Sequence, residues 1–384
     1  MHPSVIWFGK MRDAQMRDFL SGASGPGRPL GAPPPPANND RSADPNNPCA
    51  DESDNPVVLT SGNKVLDEHD FATAPGDFVV GRTYSRNGGF FVGFGPNWSW
   101  SLGYQLKFEP NPAWTPVCQP GTAEPGMPCP LVPGKFLKVT AVRPDGHRYD
   151  YTWNATSQRY EDSRPVSTSW IVEELWSGAS PLSALTLWRE DGGRERYKEN
   201  GQVLQVRDHR EVGYTFNYIN LGNTLNTITH TSGRSITLAW SGGRISSITA
   251  PNGKVWSYGY NNGRLVNVTA PDGLGVKTYH YEIGAQPEAL TGYSIGGVRR
   301  TEYGYNSDGT VQYSGLAGGI ERDTFVYGTN YTDVTNARGH TTRYNFTTLN
   351  GIKRLTGVDR AQSTACPAAA VVIDYDSRGY VERR

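Results

Sequence analysis

The sequence predicts an all-β protein built as an antiparallel meander of hairpins, and three observations carry that reading. Gly (45) and Pro (27) punctuate the 384-residue chain, both above their usual ~7% and ~5%. Aromatic residues make up 11% of it, with 21 Tyr, while helix-building runs of Ala, Leu, Glu and Lys are scarce; that balance suits strands. Turn dipeptides recur every ten residues in the second half, at Ser232-Gly233, Gly242-Gly243, Asn252-Gly253, Asn262-Gly263 and Asp272-Gly273. A helical bundle and a doubly wound α/β enzyme are both excluded by this pattern.

Charge narrows the partners. Lys+Arg and Asp+Glu each total 37, and no basic cluster exceeds two residues, so nothing here tracks a phosphate backbone and nucleic acid is excluded as partner. No apolar run approaches the ~18 residues of a membrane span. At the N-terminus, Val5-Ile6-Trp7-Phe8 gives way to Lys10, too short for a signal-peptide core.

Residues 1–55 read as a disordered tail. Pro33-Pro34-Pro35-Pro36 lies between Gly-rich and Asn/Asp-rich stretches, with almost nothing apolar after Leu30, so the segment cannot offset its own ordering entropy. Order is expected from Pro56, and residues 56–190 read as a smaller β domain. Its densest aromatic segment holds Phe94, Trp98, Trp100 and Leu102 in one period-two phase, which buries them on one side of a sheet. Residues 109–134 form a Pro-rich insertion that carries Cys118 and Cys129. A loop-stapling disulfide between them, and with it an oxidising compartment, is the preferred reading; two free thiols are the alternative. Asp145-Gly146 marks a further hairpin.

Residues 191–384 are read as one repeat region. The segment from Gly243 to Gly253 (GRISSITAPNG) aligns with Gly263 to Gly273 (GRLVNVTAPDG), a twenty-residue period that marks an internal repeat. The repeat turns are placed at Gly233, Gly243, Gly253, Gly263, Gly273, Gly309 and Gly379. Treating Asn252-Gly253 as a two-residue turn pairs Thr249 with Trp256, Ser247 with Tyr258 and Ile245 with Tyr260. Neighbouring turns pair Trp240 with Ile245, Tyr260 with Leu265 and Trp256 with Thr269. That register gathers Trp240, Trp256, Tyr258 and Tyr260 on one face with Ile236 and Leu238, and puts Ile248 and Val268 on the other. The aromatic face is read as core, with a carbohydrate-stacking surface as the alternative. A fresh repeat opens at Asp374-Tyr375 and breaks off at Arg384, which predicts an unpaired edge near Tyr375 and association through it.

Gly292-Tyr293-Ser294-Ile295-Gly296 matches the G-x-S-x-G pattern, but Gly297-Val298-Arg299 follows it as a turn into another strand instead of a helix. The seven His show no metal spacing, and Glu173-Glu174 point to opposite faces of a strand. Asp374-Tyr375-Asp376 begins like a calcium loop, yet Arg378 takes a ligand position. No catalytic residue, metal or cofactor is expected, and the chain is read as no enzyme.

The run from Gly263 to Gly273 and the pattern Tyr375-Asp376-x-x-Gly379 resemble the YD repeat of RHS proteins. Asn55-Pro56-Val57, Ser61-Gly62-Asn63-Lys64, Asp70-Phe71, Arg82-Thr83-Tyr84-Ser85 and Gly93-Phe94-Gly95 with Trp98 resemble the domain that precedes those repeats in many of them. The resemblance implies a strip of hairpins that spirals into part of a β-shell. In that family such shells encapsulate or display a C-terminal toxin in competition between bacteria; other relatives are cell-surface adhesins. It implies a non-catalytic, secreted or surface-located shell segment, partnered by the remaining shell, a toxin domain or another copy. A carbohydrate-binding adhesin that meets surface glycans is the alternative.

Overall fold

The computed structural model describes residues 57–73, 77–88, 90–91, 93–113, 135–144, 148–164, 167–175, 183–271, 273, 275–349, 352–360, 362, 368–377 and 381–383. The expectations for the N-terminal tail, for Cys118 and Cys129, and for Gly379 fall outside the described residues. The protein is all-β, and its one helical element among those residues is a short 3₁₀ turn at Ala317–Gly319. No helix among them is long and apolar enough to cross a membrane.

Strands Val57–Val58, Asn63–Ala72, Val79–Ser85 and Trp98–Trp100 form a first sheet in that order. From Gln105 to Arg299 seventeen described strands follow as one strip, each antiparallel to the next. The strip closes on itself, and an antiparallel bridge joins Gln105 to Gln202. There Leu106 N–H donates to the Gly201 carbonyl at 3.0 Å. A Cβ at Gly201 would stand 2.1 Å from the Leu106 oxygen, so only glycine lets the two backbones meet. The strip runs unbroken across residue 190, pairing Leu187 with Glu195 and Trp188 with Arg194. A seven-stranded sheet continues from Thr301–Tyr305 to Ala369–Val372.

The repeat register differs from the two-residue expectation at every second turn. Ala250 N–H donates to Lys254 O, and Gly253 N–H to Ala250 O, both at 2.9 Å, so Pro251-Asn252-Gly253 is a three-residue loop. A two-residue turn would need Pro251 to donate a backbone N–H to Lys254, and proline has none. Trp256 therefore pairs with Ile248 instead of Thr249, and Ser247 with Ser257 instead of Tyr258. The turns at Gly242-Gly243 and Asn262-Gly263 do have two residues, all with positive φ; they pair Trp240 with Ile245 and Tyr260 with Leu265. Directly after each, a β-bulge leaves Ser246 or Val266 unpaired. The bulge moves the next residues across the sheet. Ile248 and Val268 consequently join the buried face, while Thr269 pairs with Ser257 in place of Trp256.

One core runs through the first sheet and the strip, holding Phe71, Phe78, Tyr84, Phe94 and Trp98 together with Tyr214, Ile245, Trp256, Tyr258 and Tyr279. A second, smaller core joins Val57 and Leu59 to Val311, Phe325, Phe346 and Leu355 of the seven-stranded sheet. The N-terminal sheet thus packs against both later sheets.

Candidate functional site

The feature with the most built-in chemistry is the junction where the N-terminal sheet, hereafter the plug, seats on the inner aromatic face of the strip. Val80, Arg82 and Tyr84 share one phase of strand Val79–Ser85 and all three are buried. Ring contacts pin that face across the junction: Phe71 to Trp256 (4.4 Å), Phe94 to Tyr258 (4.8 Å), Trp98 to Tyr279 (4.8 Å) and Phe78 to Tyr214 (5.4 Å). Such pairs add about 0.5–1.5 kcal/mol each beyond buried area. Ile245 N–H also donates to the Gly93 carbonyl at 2.8 Å.

Arg82 lies at the centre with its side chain 1% exposed. Its Nε and Nη2 each donate to one oxygen of Asp70 at 2.8 Å, a bidentate pair within the plug. Nη1 reaches Tyr279 Oη at 3.1 Å, and Tyr258 Oη donates to Asp70 Oδ2 at 2.9 Å, so two phenols of the strip complete the network. The guanidinium also faces the rings of Phe94, Trp98, Tyr258 and Tyr279 at 5.3–5.9 Å. Burial opposes the charge on Arg82, but Asp70 outweighs it and holds the pKa above its usual value. Burial, then Asp70, pushes the Tyr258 phenol up, so it stays a donor.

Two further clasps flank the cage. Lys64 is fully buried and donates to Ser314 Oγ at 3.2 Å, with Nζ 4.1 Å from the Tyr303 ring centre. Burial lowers its pKa to about 7, against the opposing pull of Asp323. Asp77 stands 3.3 Å from His230 Nδ1 and 2.9 Å from Arg234 Nη1, and the Phe78 and His230 rings meet in an edge contact at 6.1 Å. His230 Nδ1 accepts from Ser232 N–H at 3.1 Å, and burial keeps the imidazole below its usual pKa.

Trp256 and Tyr258 are buried in the junction, and Trp240 and Tyr260 are half-buried against the same core. The turn glycines Gly233, Gly243, Gly253, Gly263, Gly273 and Gly309 all have positive φ. Ser294 sits on strand Gly292–Ile295, which enters a Gly296-Gly297 hairpin; its Oγ lies 2.8 Å from His280 Nε2, a cross-strand bond without the helix that a nucleophile elbow needs. Among the described residues no three His, Cys, Asp or Glu side chains converge as metal ligands. The Arg82 cage was not singled out as a site in the sequence. A cation in the inward phase of an otherwise apolar strand, with an acidic residue on the neighbouring strand, was the available signal.

Two family models match the chain. One, a domain of unknown function (DUF6531), covers residues 54–122, which include the plug. The other, the RHS repeat, covers residues 240–274, the two hairpins that present Trp256, Tyr258 and Tyr260 to it. The chain carries an RHS repeat. No curated protein matches it. Among solved structures, it is similar to TcdB2–TccC3 without its hypervariable C-terminal region, at 12% identity and TM-score 0.29, covering 85% of this chain and 16% of that one. The Tc holotoxin pore of Photorhabdus luminescens gives the same figures. The N-terminal domain of effector protein SpvB from Salmonella typhimurium strain LT2 matches at 10% identity and TM-score 0.26, covering 80% of this chain and 99% of that domain. The RHS-repeat chain therefore spans about a sixth of the first two structures' length.

Proposed function

We propose that this RHS-repeat chain is a non-catalytic structural segment of a toxin-type shell, secreted or surface-located in a bacterium, that helps to enclose or display a C-terminal effector. The observation that carries the proposal is the plug itself. The inner repeat aromatics are covered by the chain's own N-terminal sheet, through four ring contacts and the hydrogen bonds that Tyr258 and Tyr279 make with the plug's buried Asp70–Arg82 pair. Covering one stretch of a curling strip from within is what a wall with a closed inside requires. An adhesin that stacks sugars on those repeat rings would need Trp256 and Tyr258 in solvent, and both are buried.

The native gene product, purified with whatever follows Arg384, tests this. Electron cryomicroscopy is expected to show a closed hollow wall, and its C-terminal segment should resist protease until the wall is denatured. A product with no enclosed volume, or a C-terminal segment digested as fast as the isolated peptide, would overturn the proposal.

A further inference from the structure

Asn-Gly occurs five times in the sequence, at Asn87, Asn200, Asn252, Asn262 and Asn350; the pair at Asn350 lies outside the described residues. We propose that Asn262-Gly263 is a site of spontaneous covalent modification in the folded protein. There the asparagine side chain closes on the next peptide nitrogen and is converted to aspartate and isoaspartate. The proposal goes beyond the shell reading, which stands or falls independently of it.

The reaction needs the glycine N–H to lose its proton and the asparagine amide to swing onto that nitrogen. In three of the pairs the fold holds these groups. Gly88 N–H donates to the Ser85 carbonyl at 2.8 Å, and Gly201 and Gly253 N–H donate to the Lys198 and Ala250 carbonyls at 2.9 Å. Asn200 Oδ1 accepts from Gln202 N–H and Asn252 Oδ1 from Lys254 N–H, both at 3.1 Å. At the two-residue turn 262–263 the situation is reversed. Among the described residues neither the Gly263 N–H nor the exposed Asn262 amide makes a hydrogen bond. A cation also lies against the reacting peptide: Arg244 Nη2 is 2.6 Å from where a Cβ on Gly263 would stand. Its positive charge favours the nitrogen anion left when the proton departs.

A solvent base takes the Gly263 proton, and the nitrogen forms a bond to Asn262 Cγ. The Cγ–Nδ2 bond breaks, and Nδ2 leaves as ammonia with a proton from solvent. Water then opens the cyclic imide. Opening at Cγ gives aspartate; opening at the main-chain carbonyl gives isoaspartate, whose backbone runs through the side chain with an added methylene. No group is oxidised or reduced. Either product places a carboxylate at the turn on which the plug loop rests. A Cβ on Gly95 would stand 2.5 Å from the Gly263 carbonyl and 3.2 Å from Arg244 Nε, so plug and turn are in close contact. Beside them Ile245 N–H donates to the Gly93 carbonyl. The longer isoaspartyl turn displaces the Gly263 carbonyl and loosens that seat.

The test ages the 384-residue chain in mildly alkaline buffer, folded and in parallel unfolded in urea. Mass spectrometry of its peptides follows each Asn-Gly pair, with electron-transfer fragmentation to separate aspartate from isoaspartate. In the folded chain Asn262 is expected to convert at least about tenfold faster than Asn87, Asn200 and Asn252, whose glycine N–H groups must first give up a hydrogen bond. In urea the four rates should converge, because the fold and not the dipeptide makes the difference. Hydrogen exchange at Ile245 should quicken as isoaspartate accumulates. Asn262→Gly, which recreates the Gly-Gly turn of residues 242–243, should keep that exchange constant during ageing. Equal rates at Asn262 and Asn252 in the folded chain, the same rate ratio in urea, or unchanged exchange at Ile245 in the isoaspartyl form would each overturn the proposal.

Discussion

Tyr260 donates its phenol proton to the backbone carbonyl of Ile245, fifteen residues earlier, at 2.7 Å. The same bond recurs along the sheets, from Tyr218 to Val203, Trp240 to Leu225, Tyr281 to Leu265, Tyr327 to Val311 and Tyr375 to Leu355, at 2.6–3.0 Å. Each accepting residue directly precedes a residue left unpaired by a β-bulge. Bulges disrupt the local ladder, and the aromatic of the next hairpin reaches back to the carbonyl beside each one. In these six hairpins a tyrosine, or Trp240, thus ties its hairpin to the previous one.

This tie is open to test. Tyr260→Phe keeps the ring and loses the bond, and is expected to cost about 1 kcal/mol in urea unfolding. Tyr260→Phe/Tyr327→Phe, in well-separated ties, should lose the sum of the single costs. An unchanged midpoint for both single variants would remove the tie from the list of stabilising contacts.

The Arg82–Asp70 pair is expected to behave as a buried pair that tolerates joint replacement better than loss of one partner. Arg82→Met strands Asp70 and should cost on the order of 3–5 kcal/mol by thermal unfolding. Adding Asp70→Leu should recover part of that loss. Arg82→Lys will not substitute, because an ammonium cannot make the two-pronged bond. A double variant less stable than Arg82→Met would contradict this account.

Lys64 makes stability depend on pH. Its folded pKa, about 7, lies below the 10.5 of a free lysine, so between these values the unfolded chain binds the extra proton. Stability conferred at this position therefore rises as pH increases from 7 toward 10, by up to ~1.4 kcal/mol per pH unit. Comparison with Lys64→Met in urea at pH 7, 8 and 9 isolates the effect, and the variant should lack the slope. Parallel curves for the two proteins would show that Lys64 does not titrate in this range.

Gly95 and Gly253 both have positive φ, yet their alanine variants are expected to differ. At Gly253 nothing lies within 4 Å of a new Cβ, so only backbone strain of about 1–2 kcal/mol applies. At Gly95 the Cβ would stand 2.5 Å from the Gly263 carbonyl, so the plug loop must also lift off the strip. Hydrogen exchange in the Gly95→Ala protein should rise at Ile245, whose amide bonds Gly93. Equal stability loss in the two variants would place the loop outside the junction.

Ala369–Val372 forms an edge of the seven-stranded sheet among the described strands, with Val372 60% exposed. Such an edge invites a further strand. Sedimentation of the 384-residue chain is expected to show concentration-dependent association, reduced in Val372→Lys. A monomer at high concentration in the unmodified chain would rule out pairing at this edge.

Much of the fold was legible in the chain alone. The ten-residue spacing of Gly-bearing turns and the twenty-residue period fixed an all-β hairpin meander, because turn chemistry and side-chain alternation are local. In the structure Trp256 and Tyr258 are buried and Trp240 and Tyr260 half-buried. Even the register error had its signal in the sequence: Pro251 has no N–H for a two-residue turn, and the apolar spacing of three at Ile245/Ile248 and Leu265/Val268 requires a bulge. What covers that aromatic face was decided only in three dimensions. Arg82 meets Tyr279 across 197 residues and Lys64 meets Ser314 across 250. No local pattern encodes which distant surface a strand will bury against. That choice belongs to the packing of the plug inside the strip, where shape and the pairing of buried charge are satisfied together.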